Sequence, residues 1–245
     1  MRKKKIQITW FGRCCFLVET DSKKVLFDPY DTYCNVDIGI IEADVLLSSS
    51  SWHDHGHIGA SPKAHIYTYP GSYKNSGFQI TGIEAQENRG TPTVIFNLRY
   101  KSFSITNFAD FGPDQDESFY KSLNQSDRKM LSETNVAFIR PDILGDEIKA
   151  HGKNIHIENA LKYCNPSIIF PEHYFPESFI QEQVEEDQKE YFLKPNILVN
   201  EMIDIFKYPV KEVEGCSISI QESDLSKGKL LYKFFNLHPQ VKYHQ

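Results

Sequence analysis

The chain has 245 residues, a formal net charge of -6 and a pI near 5.9. That length sustains one large domain with a full core and does not require two. The acidic balance argues against a general nucleic-acid or anionic-membrane binder, and the one dense basic run, Arg2-Lys3-Lys4-Lys5, reads as a solvated start. Ile6 to Val18 is interrupted by Gln7, Thr9, Gly12 and Arg13, unlike a signal peptide, and no apolar stretch approaches membrane-spanning length. Cys14, Cys15, Cys34, Cys164 and Cys216 show no C-x-x-C spacing. They read as reduced thiols and point to a cytoplasmic protein.

The first third reads as strands. Ile6, Ile8 and Trp10 alternate on one face, Cys15 to Glu19 continues the pattern, and Val25-Leu26-Phe27 runs into Asp28-Pro29, where proline ends the strand. Val45-Leu46-Leu47 is a buried run. His65 to Tyr69 and Phe78 to Ile83 are short strand candidates, and Thr93 to Leu98 and Ser102 to Thr106 form a hairpin. Phe119 to Leu131 reads as helical and Val136 to Arg140 as a strand stopped by Pro141. Ile157, Ala160, Leu161 and Cys164 fall on one helix stripe, followed by the strand Ser167 to Phe170. Helices are expected at Glu177 to Leu193 and Ile197 to Phe206, then strands at Ser217 to Gln221 and Leu230 to Phe234. No Gly/Ser/Pro-rich linker divides the chain, so it predicts one layered domain over 1–245 with a helical elaboration at about 176–208.

Chemistry concentrates at three strand ends. After Val45-Leu46-Leu47 comes Ser48-Ser49-Ser50-Ser51-Trp52-His53-Asp54-His55-Gly56-His57, with three histidines and an aspartate within five residues. Phe103 to Thr106 leads to Asp110, and Ile168 to Phe170 leads to His173. If these ends converge, Asp54, His55, Asp110 and His173 offer two imidazoles and two carboxylates, enough for one four-coordinate divalent ion. His53 and His57 read as solvated loop residues. A Ser50-His55-Asp54 triad is disfavoured, because no G-x-S-x-G elbow is present.

These motifs, in this order, resemble the metallo-β-lactamase fold, in its lactonase-like zinc-dependent hydrolase branch. Ile8 to Phe16 resembles the family's strand ending in Gly-His-Ala/Ser, and Val25 to Pro29 its strand ending in Asp-Pro. Ala43-Asp44 leads into its H-x-H-x-D-H motif, Ala109-Asp110 stands for Gly-Asp, and Pro171-Glu172-His173-Tyr174 for Pro-x-His-Tyr. The resemblance implies a four-layered α/β/β/α sandwich. It also implies that the first two motif histidines fall on Ser50 and Trp52, and a third on Glu87 or, one register away, Asn88. The first metal site would lose its imidazoles, while the second keeps Asp54, His55, Asp110 and His173.

Arg13 replaces the histidine near the substrate, where it would hold an anion or pair with Asp28 or Asp110. Trp52 is expected to fill the space of the lost ion. One remaining ion, Zn²⁺ or Mn²⁺, could still polarise a carbonyl or phosphoryl oxygen, with Asp110 and Arg13 as the catalytic candidates. The expected function is an impaired or inactive relative of metal-dependent hydrolases, used for ligand sensing or protein contact. The alternative is a mononuclear hydrolase of a small ester, lactone or phosphodiester. A small-molecule ligand is expected, without nucleic-acid or membrane partners.

Overall fold

A computed structural model of the chain describes residues 4–75, 77–87, 91–110, 117–141 and 155–244. Two sheets carry the architecture. The first runs β14 (Ser217–Gln221), β1 (Lys5–Trp10), β2 (Phe16–Glu19), β3 (Lys24–Phe27), β5 (Val45–Leu47) and β6 (His65–Tyr67). The second runs β13 (Val210–Val213), β15 (Leu230–Phe234), β12 (Ile168–Pro171), β11 (Val136–Ile139), β10 (Phe103–Asn107), β9 (Pro92–Tyr100), β8 (Phe78–Gln86) and β7 (Gly71–Asn75). A small ribbon pairs β4 (Val36–Asp37) with β16 (Lys242–Tyr243).

Alternation along the strands sets the layers, because successive side chains face opposite sides of a sheet. Ile6, Ile8, Trp10, Phe27 and Leu47 of the first sheet meet Phe96, Ile105, Phe138 and Phe170 of the second in one inner core. The outer face of the second sheet, with Ile95, Ala137 and Ile169, is covered by α1 (Glu117–Ser122), α2 (Gln125–Ser132) and α3 (Ile155–Cys164) through Tyr120, Leu131, Ala160 and Cys164. The outer face of the first sheet, with Leu17, Leu26 and Leu46, is covered by α4 (Glu177–Gln183) and the start of α5 (Lys189–Phe206) through Phe179, Ile180 and Phe192. The order of layers is α/β/β/α.

Helix α5 straddles the sandwich edge. Phe192 joins the core under the first sheet, Val199 the core between the sheets, and Met202 the core over the second. The sequence predicts a break between Leu193 and Ile197, whereas the chain breaks at Val184–Gln188 and carries Pro195 inside the helix. A core contact every few residues along α5 outweighs the one hydrogen bond a proline removes. The predicted Phe119–Leu131 helix is split where Asn124 caps α2 by accepting from the Asp127 amide. Ala160 and Cys164 of the predicted stripe are buried, while the side chain of Ile157 lies outside the described residues.

Topology then places the site. β3 runs parallel to β5, and β10, β11 and β12 run parallel to one another, so within each sheet their C-terminal ends share an edge. β1 and β3 both pair antiparallel with β2, which puts the end of β1 on that edge too. The two sheet edges are joined there. Val94 N and Thr93 Oγ1 donate to the Ser49 carbonyl, and Asn107 Nδ2 donates to Asp28 at 2.7 Å.

Candidate metal centre

Each strand end turns sharply out of its sheet. Arg13, Asp28, Ala109 and His173 adopt left-handed backbone at φ 47°, 41°, 51° and 60°, a region that non-glycine residues enter only when their surroundings hold them there. Gly12 precedes Arg13 at φ 97°, and a Cβ there would fall 2.7 Å from the Phe175 ring. Only glycine fits that turn. The Arg13 amide donates to the Tyr174 carbonyl and Trp10 Nε1 to the Arg13 carbonyl, so the turns carrying Arg13 and His173 are fixed to each other.

Asp28, fully buried, organises the first sheet's contribution. It accepts from the Ser49 amide at 2.7 Å, Ser49 Oγ at 2.8 Å and Asn107 Nδ2 at 2.7 Å, and lies 3.1 Å from His55 Nδ1. With Asp28 on Nδ1, Nε2 is the ring nitrogen that would face an ion. Nε2 of His55 lies 3.7 Å from Asp54 Oδ2 and 3.2 Å from Asp110 Oδ1. Nε2 of His173 lies 3.0 Å from that same Asp110 oxygen.

All four predicted ligands meet. Asp54, His55, Asp110 and His173 each offer one donor atom within 4.8 Å of the others. The fit to a divalent ion has a second support. Nε2 of His55 and Nε2 of His173 are buried and make no hydrogen bond among the described residues. A buried polar atom ordinarily has a partner, and two imidazole nitrogens beside two carboxylates are the donor set a divalent ion takes. The residues present fit one ion.

Charge at the centre is already dense. Arg13 Nη2 lies 3.1 Å from Asp54 Oδ2, so it pairs with neither Asp28 nor Asp110 as expected. Asp110 has its own cation, Arg140, with Nη1 at 2.6 Å. Burial opposes ionisation of Asp110, but Arg140, His55 and His173 hold its carboxyl well below the usual range. Burial likewise opposes Asp54, and His55, His173 and Arg13 outweigh it. Burial also works against a charged His55, yet the acidic groups around it (Cys14, Asp110, Asp54 and Asp28) raise its pKa well above the ordinary value.

The other half of the motif differs. Ser50 and Glu87 are buried, and burial, then the Asp110 charge, pushes the Glu87 carboxyl up to about 7. Asn88 lies outside the described residues. Trp52 overturns the expectation of a buried plug, since it is 52% exposed. Its amide donates to Ser50 Oγ and its carbonyl accepts from the His55 and Gly56 amides, a tight turn that sends the indole outward. His53 is exposed, ion-paired with Asp31 and stacked on Tyr33, away from the ligand set. The expectations did not include Arg140 or Glu172. Both sit one residue past the end of a parallel strand, which is the signal that marks them. Glu172 is fully buried with neither oxygen hydrogen-bonded among the described residues, and burial, then the Asp28 charge, raises it well above its ordinary range.

The fold is an α/β/β/α sandwich with a cluster of ligand-type residues at one sheet edge. Residues 7–173, more than half of the chain, match the model of the beta-lactamase superfamily domain, and the protein belongs to that superfamily. Solved structures agree on the fold. A proposed Zn-dependent hydrolase of the metallo-β-lactamase superfamily from Thermotoga maritima aligns over 94% of this chain and 98% of its own, at 20% identity and a TM-score of 0.60. The metallo-β-lactamase fold protein YhfI from Bacillus subtilis aligns over 89% and 100%, at 12% identity and 0.55. The diiron β-hydroxylase CmlA from Streptomyces venezuelae aligns over 96% of this chain but 54% of its own, at 10% identity and 0.52. No curated protein sequence matches.

Proposed function

We propose that this chain is a one-ion member of the superfamily, which binds a small anionic ligand at that ion and lacks the two-metal chemistry of hydrolases with the full motif. The observation that carries the reading is the pair of buried imidazole nitrogens that face Asp54 and Asp110 and make no hydrogen bond among the described residues. The ion would be held by Asp54, His55, Asp110 and His173, with Zn²⁺ and Mn²⁺ both compatible with this donor set. When bound, it supplies Lewis acidity toward a carbonyl or phosphoryl oxygen. Arg13 and Arg140 flank the ligand carboxylates and favour an anion at the ion's open side. Ser50, Trp52 and Glu87 offer no imidazole for a second ion, and this supports an impaired or inactive relative used for ligand sensing.

One observation favours the mononuclear hydrolase as second reading. A carboxyl titrating near 7, as Glu87 does, is matched to general-base work at neutral pH. The absence of disulfides among the five cysteines supports a reducing, cytoplasmic setting. No helix among the described residues is long and apolar enough to cross a membrane.

The test is elemental analysis of protein purified without chelator, followed by a panel of esters, lactones and phosphodiesters with added Zn²⁺ or Mn²⁺. One ion per chain without turnover supports the ligand-binding reading. One ion with turnover abolished by both Glu87→Gln and Asp110→Ala supports the hydrolase. Two tightly bound ions per chain overturn both.

A further inference from the structure

Cys14 follows Arg13 on the turn out of β1 and is fully buried. A buried cysteine ordinarily behaves as a small hydrophobe, and two others here do so. Cys15 lies in the core under the first sheet and Cys164 in the core over the second. Cys14 belongs to none of the three apolar clusters. Its Sγ sits instead among polar atoms, 2.7 Å from the Asp54 carbonyl and 3.5 Å from the Asp28 carbonyl. It also lies within 4.8 Å of a ring nitrogen of His55 and of one of His173. Those are the two imidazoles whose Nε2 atoms are buried, at 0% and 5% residue exposure, and without a hydrogen bond among the described residues. The donor sets around Cys14 and around the two aspartates thus share both imidazoles.

We propose that Cys14 is a thiolate ligand of this centre, which makes it a site for a thiophilic divalent ion such as Zn²⁺ rather than for Mn²⁺ or Mg²⁺. The inference rests on the one-ion reading and adds its fifth donor. On binding, the Cys14 S–H bond breaks, its proton leaves to solvent, and an Sγ–metal bond forms in place of the hydrogen bond to the Asp54 carbonyl. No oxidant or reductant takes part. A coordinated thiol is deprotonated by the ion itself. Soft sulfur with imidazole selects Zn²⁺, Co²⁺ and Cd²⁺, whereas carboxylates alone would suit the harder ions.

The experiment loads the full chain with Co²⁺ and records visible and near-ultraviolet absorption. The parent should show visible d–d bands together with a thiolate-to-cobalt charge-transfer band in the near ultraviolet. Cys14→Ser keeps a hydroxyl able to donate to the Asp54 carbonyl. It should retain one ion and the visible bands, lose the charge-transfer band, and lower the preference for Cd²⁺ over Mn²⁺ by about tenfold or more. Cys34→Ser and Cys216→Ser should keep the band. Visible bands without the charge-transfer band in the parent, or a band that survives Cys14→Ser, would overturn the thiolate while leaving the one-ion centre standing. A parent that holds no Co²⁺, Zn²⁺ or Mn²⁺ would overturn the one-ion reading itself. The parent spectrum decides between these even if Cys14→Ser does not fold.

Discussion

The two halves of the motif that follows β5 have opposite environments. Asp54 and His55 point inward, toward Asp110 and His173, and are braced from behind by Asp28 and Arg13. Ser50, a few residues earlier, holds the turn through its hydroxyl and Trp52 through its backbone, and the Trp52 side chain faces solvent. A donor that keeps its buried charge network cannot be replaced without orphaning several partners. A position without such a network is free to serve as a turn residue. The Asp54–His55 half is therefore coupled to the sheet through Asp28, while the Ser50–Trp52 half is coupled to its own loop and, through Ser50, to Glu87.

The sharpest way to break that contrast is Asp28→Ala. It strands His55 Nδ1, the Ser49 amide and hydroxyl, and Asn107 Nδ2 at a fully buried position. A loss of about 3–5 kcal/mol is expected in denaturant unfolding of the ion-free protein. A loss below about 1 kcal/mol would show that the network does not support the fold. Next in size, His173→Ala removes a direct ligand and should weaken ion binding by about 100-fold or more by competitive titration with a chromogenic chelator. Unchanged binding would remove His173 from the centre.

Glu87→Gln tests the altered half. The Glu87 carboxyl is raised from 4.5 to about 7 in the folded chain, so the folded state holds this proton more tightly than the unfolded one. Its contribution is fully present below about pH 4.5 and is lost as pH rises through about 7. In the ion-free protein, Glu87→Gln should abolish that loss and stabilise the fold by up to about 2 kcal/mol above pH 7, relative to the parent. A variant whose stability follows the parent curve at every pH would show that Glu87 is not desolvated. Smallest of all, Trp52→Ala should change stability by less than about 0.5 kcal/mol, as expected of a surface side chain away from the core. A cost above about 2 kcal/mol would restore the buried plug.

Much of this was legible in the chain because strand-end motifs combine side-chain identity with backbone position. Val45-Leu46-Leu47, Phe103 to Thr106 and Ile168 to Phe170 are buried runs followed at once by ligand-type residues, and parallel pairing of such runs brings their ends to one edge. Asp54, His55, Asp110 and His173 could be assembled on that basis. The direction of Trp52 could not, because a tryptophan in a four-residue turn has no periodicity to orient it. Arg140 stood at the end of a predicted strand but was read only as its last residue. Cys14 was one of five similar thiols in the sequence, and only packing separates it from Cys15 beside it. Pro195 misled the helix boundary, since local propensity there yields to contacts with three separate cores.

The left-handed backbone at Arg13, Asp28, Ala109 and His173 has a consequence for how the ion is taken up. These conformations are imposed by the folded sheets, so among the described residues the turns that carry and flank the donors are already formed. Uptake should then behave as simple mass action on a rigid receptor. The melting temperature should climb with the logarithm of free ion concentration above Kd, while the far-ultraviolet circular dichroism spectrum stays unchanged from apo to saturated protein.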